Sequence, residues 1–325
     1  MTSPTRRVLL AAALAVPALR AARAQSWPTR PISMVNPWPP GGSSDTMARL
    51  MAQRFTEKLG QNVVVENRAG ASGTIGHNHV AQQRPDGYTL LFATNSTYAI
   101  APHLIDPLPY DNRRAFTGVS LVARTAQSLC VHPSLPVANI GEFLAYVRAN
   151  PGTVNFSSAG IGATSHLAME LLLAAARLDM VHVPYRGGAP SAQAVLSGET
   201  KVSFIDAVTA LPHRQAGTVK MLAVSTAARS PLAPDVPTLQ EAGVAGFESS
   251  TDMALMAPAG LPADIAGRLA ALVKDAVQDA AFRARIVALG ADPVGGTPAE
   301  FDAYWTAESA KWGDLIRARN IRRPG

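Results

Sequence analysis

The sequence predicts an α/β protein of two similar lobes, with a ligand held beyond the carboxyl ends of the strands. Three observations predict it. Short continuous apolar runs such as Thr89 to Ala93 alternate with stretches of helical periodicity, the pattern of parallel strands covered on both faces. Asn155 to Ala175 (NFSSAGIGATSHLAMELLLAA) reads as a strand, a glycine turn and an apolar helix. Met34 to Met51 (MVNPWPPGGSSDTMARLM) repeats that plan: setting Gly42 on Gly162 places Ser43 on Ala163, Ser44 on Thr164 and Met47 on Leu167. The two units lie 162 − 42 = 120 positions apart, which suits one unit per lobe in a chain of 325 residues.

Taken in order, the chain opens with a targeting segment. Arg6 and Arg7 precede an apolar run from Val8 to Leu19, and Ala22-Arg23-Ala24 supplies a small-x-small cleavage pattern. A signal peptide over residues 1–24, cleaved after Ala24, is expected. Thr5 to Leu10 partly resembles a twin-arginine motif, and a Sec route stays open beside it.

Ile32 to Val35 reads as the first strand, followed by the turn PWPPGG and a helix from Ser44 to Leu59 stopped by Gly60. Val63 to Val65 is a β-branched strand, and a helix near Thr74 to Gln83 follows the glycine-rich NRAGASGTIG. The turn Arg84-Pro85-Asp86-Gly87 leads into the strand at Thr89 to Ala93. Val119 to Val122 and Leu129 to Val131 read as two strands, and Ile140 to Ala149 as a helix closed by Asn150-Pro151-Gly152. After the second glycine unit come a strand at Met180 to Val183, a short helix at Ser191 to Leu196, and strands at Val202 to Ile205 and Met221 to Val224. A last short strand covers Ala254 to Met256. Two long helices end the chain, Ala263 to Ala288 with a break near Ala280, and Pro298 to Arg319. The final helix opens on a Thr297–Glu300 capping box and carries a stripe of Phe301, Tyr304, Trp305, Trp312, Leu315 and Ile316.

Composition excludes several classes. The formal charge of +6 falls to 6 − 4 = +2 once Arg6, Arg7, Arg20 and Arg23 of the signal segment are removed, which leaves no footprint for nucleic acid. Cys130 is the one cysteine, so no internal disulfide is expected, and its apolar neighbours place it in a core strand. No G-x-S-x-G elbow, phosphate-binding loop or H-E-x-x-H helix occurs, and Gly160-Ile161-Gly162 lacks the third glycine of a dinucleotide fingerprint. His77 and His79 read as a surface pair, and neither a metal nor a cofactor is expected.

What remains is the chemistry of helix starts. A helix entered through a glycine turn presents unpaired N–H groups and a positive dipole end, and two such starts facing each other form a clamp for a carboxylate. Thr164 or Ser165 serves equally well as an ordinary helix cap. Asp45 would repel an anion, so it is expected to orient its loop or bind water. Asp206 stands at a strand end, where it meets a hydroxyl or ammonium of a ligand or caps the next helix. Arg186 either grips a carboxylate bidentately or is solvated. The rival class is a secreted serine hydrolase using Ser165 and His166, although adjacent helical residues point about 100° apart.

Seven motifs in this order, PWPPGGSSD (Pro37 to Asp45), ENRAGASGTIG (Glu66 to Gly76), PDGYTLL (Pro85 to Leu91), SSAGIGATSHLA (Ser157 to Ala168), VPYRGGAP (Val183 to Pro190), DVPTLQEAG (Asp235 to Gly243) and GGTPAEFDAYW (Gly295 to Trp305), resemble the substrate-binding proteins of tripartite tricarboxylate transporters, the Bug family. The resemblance implies a two-lobed, periplasmic-binding-protein-like (type II) fold with a ligand cleft between the lobes. It implies a first lobe of residues 25–123 plus 251–325 and a second of residues 124–250. It further implies a non-catalytic, monomeric periplasmic receptor that takes a small carboxylate to a membrane permease, or reports it to a sensor protein. Carried over by motif, the gripping loops are Gly42, Ser43, Ser44 and Asp45, and Gly162, Ala163, Thr164 and Ser165. Further cleft positions are Trp38 as an aromatic wall, Asn95, Ser96 and Thr97, then Tyr185, Arg186, Gly187 and Gly188, and Asp206.

Overall fold

The computed structural model describes residues 27–318, 321 and 322, so the signal segment lies outside the described residues. In chain order the elements are β1 (Ile32–Asn36), α1 (Ser43–Leu59), β2 (Val63–Asn67), α2 (Thr74–Ala81), β3 (Thr89–Thr94), β4 (Phe116–Val131), α3 (Ile140–Ala149), β5 (Asn155–Ser158) and α4 (Thr164–Ala176). They continue as β6 (Val181–Pro184), α5 (Gly188–Leu196), β7 (Val202–Asp206), α6 (Ala207–Gln215), β8 (Lys220–Val224) and β9 (Ser250–Pro258). The last are α7 (Ala263–Gln278), α8 (Ala280–Ala288), β10 (Ala291–Pro293) and α9 (Pro298–Ala318).

One strand organises them. β4 runs 16 residues without interruption, where the sequence suggested two strands. The intervening residues are polar, and polarity reads as a loop. Here Thr125, Gln127 and Ser128 are instead buried at the crossing between lobes, where neighbouring strands satisfy their backbone. From Phe116 to Ala126, β4 pairs antiparallel with β9; from Gln127 to Val131 it pairs antiparallel with β7. The sheet order is β2-β1-β3-β9-β4-β7-β5-β6, with β8 and β10 also on β4. β1 is parallel to β2 and β3 in one lobe, and β5 is parallel to β6 and β7 in the other.

Alternation along the strands divides side chains between the two faces. Leu90 and Phe92 of β3 pack with Met47 and Phe55 of α1 and Leu269 and Val273 of α7. Leu91 and Ala93 pack on the other face with Tyr98, Trp305 and Trp312. In the second lobe, Leu129 and Val131 join Phe143, Phe156 and Leu172, while Cys130 turns to Val195 and Leu211. Cys130 is buried, and its apolar surroundings push the thiol pKa up. The break near Ala280 occurs at Asp279, whose backbone leaves the helix (φ −64, ψ 119) and whose carboxylate accepts from the Phe282 N–H at 2.8 Å to start α8.

His77 corrects the surface-pair reading. It is fully buried, stacked on Tyr110 at 5.7 Å and edge-on to Phe116 at 5.4 Å. Because α2 lies across the sheet, the H-x-H spacing sends one ring inward. Among the described residues no helix is long and apolar enough to cross a membrane, and no group of three or more metal-ligating side chains occurs.

Candidate functional site

The two glycine units deliver α1 and α4 to a common cavity. The first turn bends at Gly41 (φ 87) and the second at Gly162 (φ 81), left-handed conformations that favour glycine. The residues preceding each helix, Gly42 and Ala163, supply no side-chain cap. Nor does Gly187 before α5, and Gly188 faces the same cavity. Away from it, α3, α8 and α9 are each capped by a side chain, from Asn139, Asp279 and Thr297. The starts aimed at the cleft, those of α1, α4, α5 and α6, have no side-chain cap from the residue before them, and α2 and α7 are further such starts.

An inner cavity of about 60 Å3 lies between the lobes. The expected residues that line it are Trp38, Gly42, Ser43, Ser44, Ser96, Ala163, Thr164, Ser165, Gly188 and Asp206. An outer cavity of about 240 Å3 adjoins it across Trp38 and Ala159, and Tyr185 and Arg186 stand there beside Ser72 and Gly160. Trp38 is nearly buried and fixed by an Nε1–H bond to Thr94 Oγ1 at 2.9 Å, so it forms the partition between the two spaces.

Five expected residues line neither cavity. Asp45 turns back into its own loop, accepting from the Gly41 N–H and Arg49 Nε at 3.0 Å each and from Asn67 Nδ2 at 2.9 Å. Burial pushes its carboxyl up, but these bonds hold it below the usual carboxylate range. It orients the loop, one of its two expected roles. Asn95 faces the lobe crossing, donating to Ser250 O and Asp252 Oδ2 at 3.1 Å each. Thr97 donates to Thr94 O at 2.7 Å and closes the turn after β3. The Gly162 N–H donates to His166 Nδ1 at 3.2 Å, and Gly187 is buried against Pro39.

The lobes meet through hydroxyls. Ser43 Oγ at the start of α1 donates to Asp206 Oδ2 at the end of β7. Thr251 Oγ1 of β9 donates to Asp206 Oδ1 at 2.7 Å and lies 2.9 Å from Thr164 Oγ1 at the start of α4. The Thr164 N–H donates to Ser96 Oγ at 3.0 Å, and Ser72 Oγ donates to Ile161 O at 3.1 Å. Burial pushes the Asp206 carboxyl up, and hydrogen bonds from Ser43, Thr251 and Gln127 oppose that rise. Asp206 precedes α6 without capping it through its side chain.

Sequence reasoning missed Thr94, Gln127, Phe204, Thr209 and Thr251 of the inner cavity, and Ser72 and Gly73 of the outer one. The glycine-rich NRAGASGTIG was the available signal for the latter pair. Of the former, Thr94, Gln127, Phe204 and Thr251 arrive on paired strands and Thr209 on the first turn of α6, and none leaves a local pattern.

A serine–histidine pair does form, but not the one the sequence suggested. Ser165 Oγ accepts from the Ala159 N–H at 3.0 Å. His166 turns both ring nitrogens away from Ser165, Nδ1 to Gly162 and Nε2 to Glu170 at 3.5 Å. Ser158 Oγ lies 2.6 Å from His182 Nε2, buried beneath the glycine turn, with His182 stacked on His166 at 4.2 Å and on Phe156 at 4.8 Å. Burial, with His166 beside it, pushes His182 down to about 3. This pair braces the turn from below and touches neither cavity.

Comparison with known proteins places these features in context. Residues 47–321 match the family described as tripartite tricarboxylate transporter family receptor. BugT of Bordetella pertussis is 35% identical over 297 residues, covering 90% of each chain. A Rhodopseudomonas palustris protein solved with adipate superposes with a TM-score of 0.89 at 33% identity, covering 91% of this chain and 99% of that one. MatC from the same organism, with bound malate, superposes with a TM-score of 0.84 at 32% identity, covering 89% of this chain and 100% of that one.

Proposed function

The chain belongs to the tripartite tricarboxylate transporter receptor family, and from that premise we propose that it is an exported receptor for a small carboxylate. It closes two lobes on its ligand and delivers it to a tripartite tricarboxylate-type membrane permease. Residues 1–24 direct export to the periplasm, residues 25–123 with 251–325 form one lobe, and residues 124–250 form the other.

The observation that carries this reading is the convergence of uncapped helix starts on one interlobe cavity. First-turn amides and the aligned dipoles attract an anion without any cationic side chain, and at α4 the Thr164 amide is held by Ser96 Oγ while the lobes are closed. Ser96 and Ser165 accept backbone bonds there and keep their own hydroxyl hydrogens for a ligand. Micromolar affinity corresponds to about 8 kcal/mol. Three to five charge-assisted hydrogen bonds at roughly 1.5–3 kcal/mol each reach that figure once closure excludes water. Adipate and malate, found with two structural relatives, are natural members of a test panel.

The test titrates mature protein with mono-, di- and tricarboxylates while following Trp38 fluorescence and the melting temperature. At least one carboxylate raises the melting temperature reversibly and is recovered unchanged. Absence of any shift across the panel, or ester turnover that disappears in Ser165→Ala, overturns the receptor.

A further inference from the structure

Resting on that receptor reading, we infer that Asp206 selects the ligand: the inner cavity prefers a carboxylate whose adjacent carbon carries an O–H or N–H donor, a 2-hydroxy or 2-amino carboxylic acid. The first ground is composition. Asp206 is the single ionisable side chain among the residues lining the inner cavity, and it is half-buried with its carboxylate at the cavity wall.

The second ground is the direction of the hydrogens. An ionised carboxylate only accepts, so the Ser43 and Thr251 hydroxyls each commit their one hydrogen to it. Thr251, having given its hydrogen to Asp206, accepts from Thr164 across 2.9 Å. The Ser43 and Thr251 hydroxyls therefore point their hydrogens to Asp206 and the Thr164 hydroxyl points its own to Thr251, which leaves their lone pairs to the rest of the cavity. A carboxylate has about four lone-pair sites, and contacts from Ser43, Thr251 and Gln127 leave at least one of them available. A plain methylene placed there would leave that acceptor unmatched, and an incoming donor satisfies it.

The third ground is position. Ser43 opens α1 and Thr164 opens α4, and Asp206 is separated from the first by one hydrogen bond and from the second by the Thr251 hydroxyl alone. A carboxylate seated on both helix starts thus places its neighbouring carbon against Asp206. The four starts of α1, α4, α5 and α6 carry roughly half a positive charge each, which Asp206 reduces to about one charge in total. That balance admits one ligand carboxylate to the inner cavity and disfavours a second acceptor there.

Calorimetry on the mature protein with matched pairs tests this: malate against succinate, lactate against propionate, then aspartate and alanine as the amino counterparts. In at least one pair the ligand bearing the donor binds ten-fold or more tightly than its plain partner, and the hydroxy and amino arms identify which donor is preferred. In Asp206→Ala the hydroxyls of Ser43 and Thr251 regain free hydrogens, so plain carboxylates gain affinity and the ratio falls toward one or inverts. Should that variant not fold, the wild-type ratio decides alone. Equal or reversed affinities in the wild type overturn the role of Asp206 and leave the receptor standing, whereas silence toward every carboxylate sinks the receptor itself.

Discussion

His77 shows how burial writes a pH dependence into this molecule. Enclosed by Tyr110 and Phe116, it is pushed down to about 3 by desolvation, against a weak contact with Gly73 O at 3.3 Å. The unfolded chain takes up a proton near pH 6.5, whereas the folded one does not until about pH 3. More protons are then bound by the unfolded state, so stability falls as pH drops through this window. Asp252 acts oppositely: its burial raises the carboxyl to about 6, so its contribution falls as pH rises from about 4 to 6. His77→Phe keeps a ring in the site and removes the titration, so between pH 7 and pH 5 it should lose about 2 kcal/mol less stability than the wild type. Urea unfolding at the two pH values measures this, and parallel losses would refute it. At this scale the legible residues were those inside a strand–turn–helix unit, such as Ser43 and Thr164. Asn95 misled because its motif neighbours the cleft while its own amide faces Asp252. Thr251 was invisible because nothing local marks a threonine that strand pairing brings beside Asp206.

Among the elements, α1 and α4 trade stability for an open end. An N-cap serine in place of alanine is worth about 0.5–2 kcal/mol, yet Ala163 stands at this position of α4. Ala163→Ser should raise the melting temperature by a few degrees and weaken carboxylate binding about ten-fold, because the new hydroxyl occupies the amides the ligand uses. A stabilised variant with unchanged affinity would show that α4's amides are not part of the grip. Most elements were readable because their periodicity is local, including the break before α8. β4 was not, since its buried polar middle is stabilised by β9 and β7, partners far away in sequence.

For the molecule as a whole, the lobes are closed on each other by Ser43–Asp206, Thr164–Ser96 and Ser72–Ile161, so entry of a ligand requires them to part. A Cβ built on Gly41 would lie 3.9 Å from Ala189 Cβ, within the span of a disulfide. Cys130 is buried and does not compete. Gly41→Cys with Ala189→Cys, once oxidised, should block ligand uptake and release, and reduction should restore both. The left-handed backbone at position 41 costs about 1–2 kcal/mol, which the crosslink offsets. Ligand exchange at the wild-type rate in the oxidised pair, followed by stopped-flow fluorescence, would place the entrance elsewhere. The two-lobed plan was legible from the echo of one glycine unit in the other. The manner of joining was not.

That joining has a temporal side. β9 sits between β3 and β4, so nine residues near the end of the chain separate strands made long before. After β4 ends at residue 131, another 258 − 131 = 127 residues must be made before β9 is complete, roughly 6–25 s at synthesis rates of about 5–20 residues per second. Throughout that interval the facing edges of β3 and β4 lack their shared neighbour, and the ten-stranded sheet cannot be completed. The placement of β9 thus acts as a timer, holding back the final shape until 258 of the 325 residues have been made.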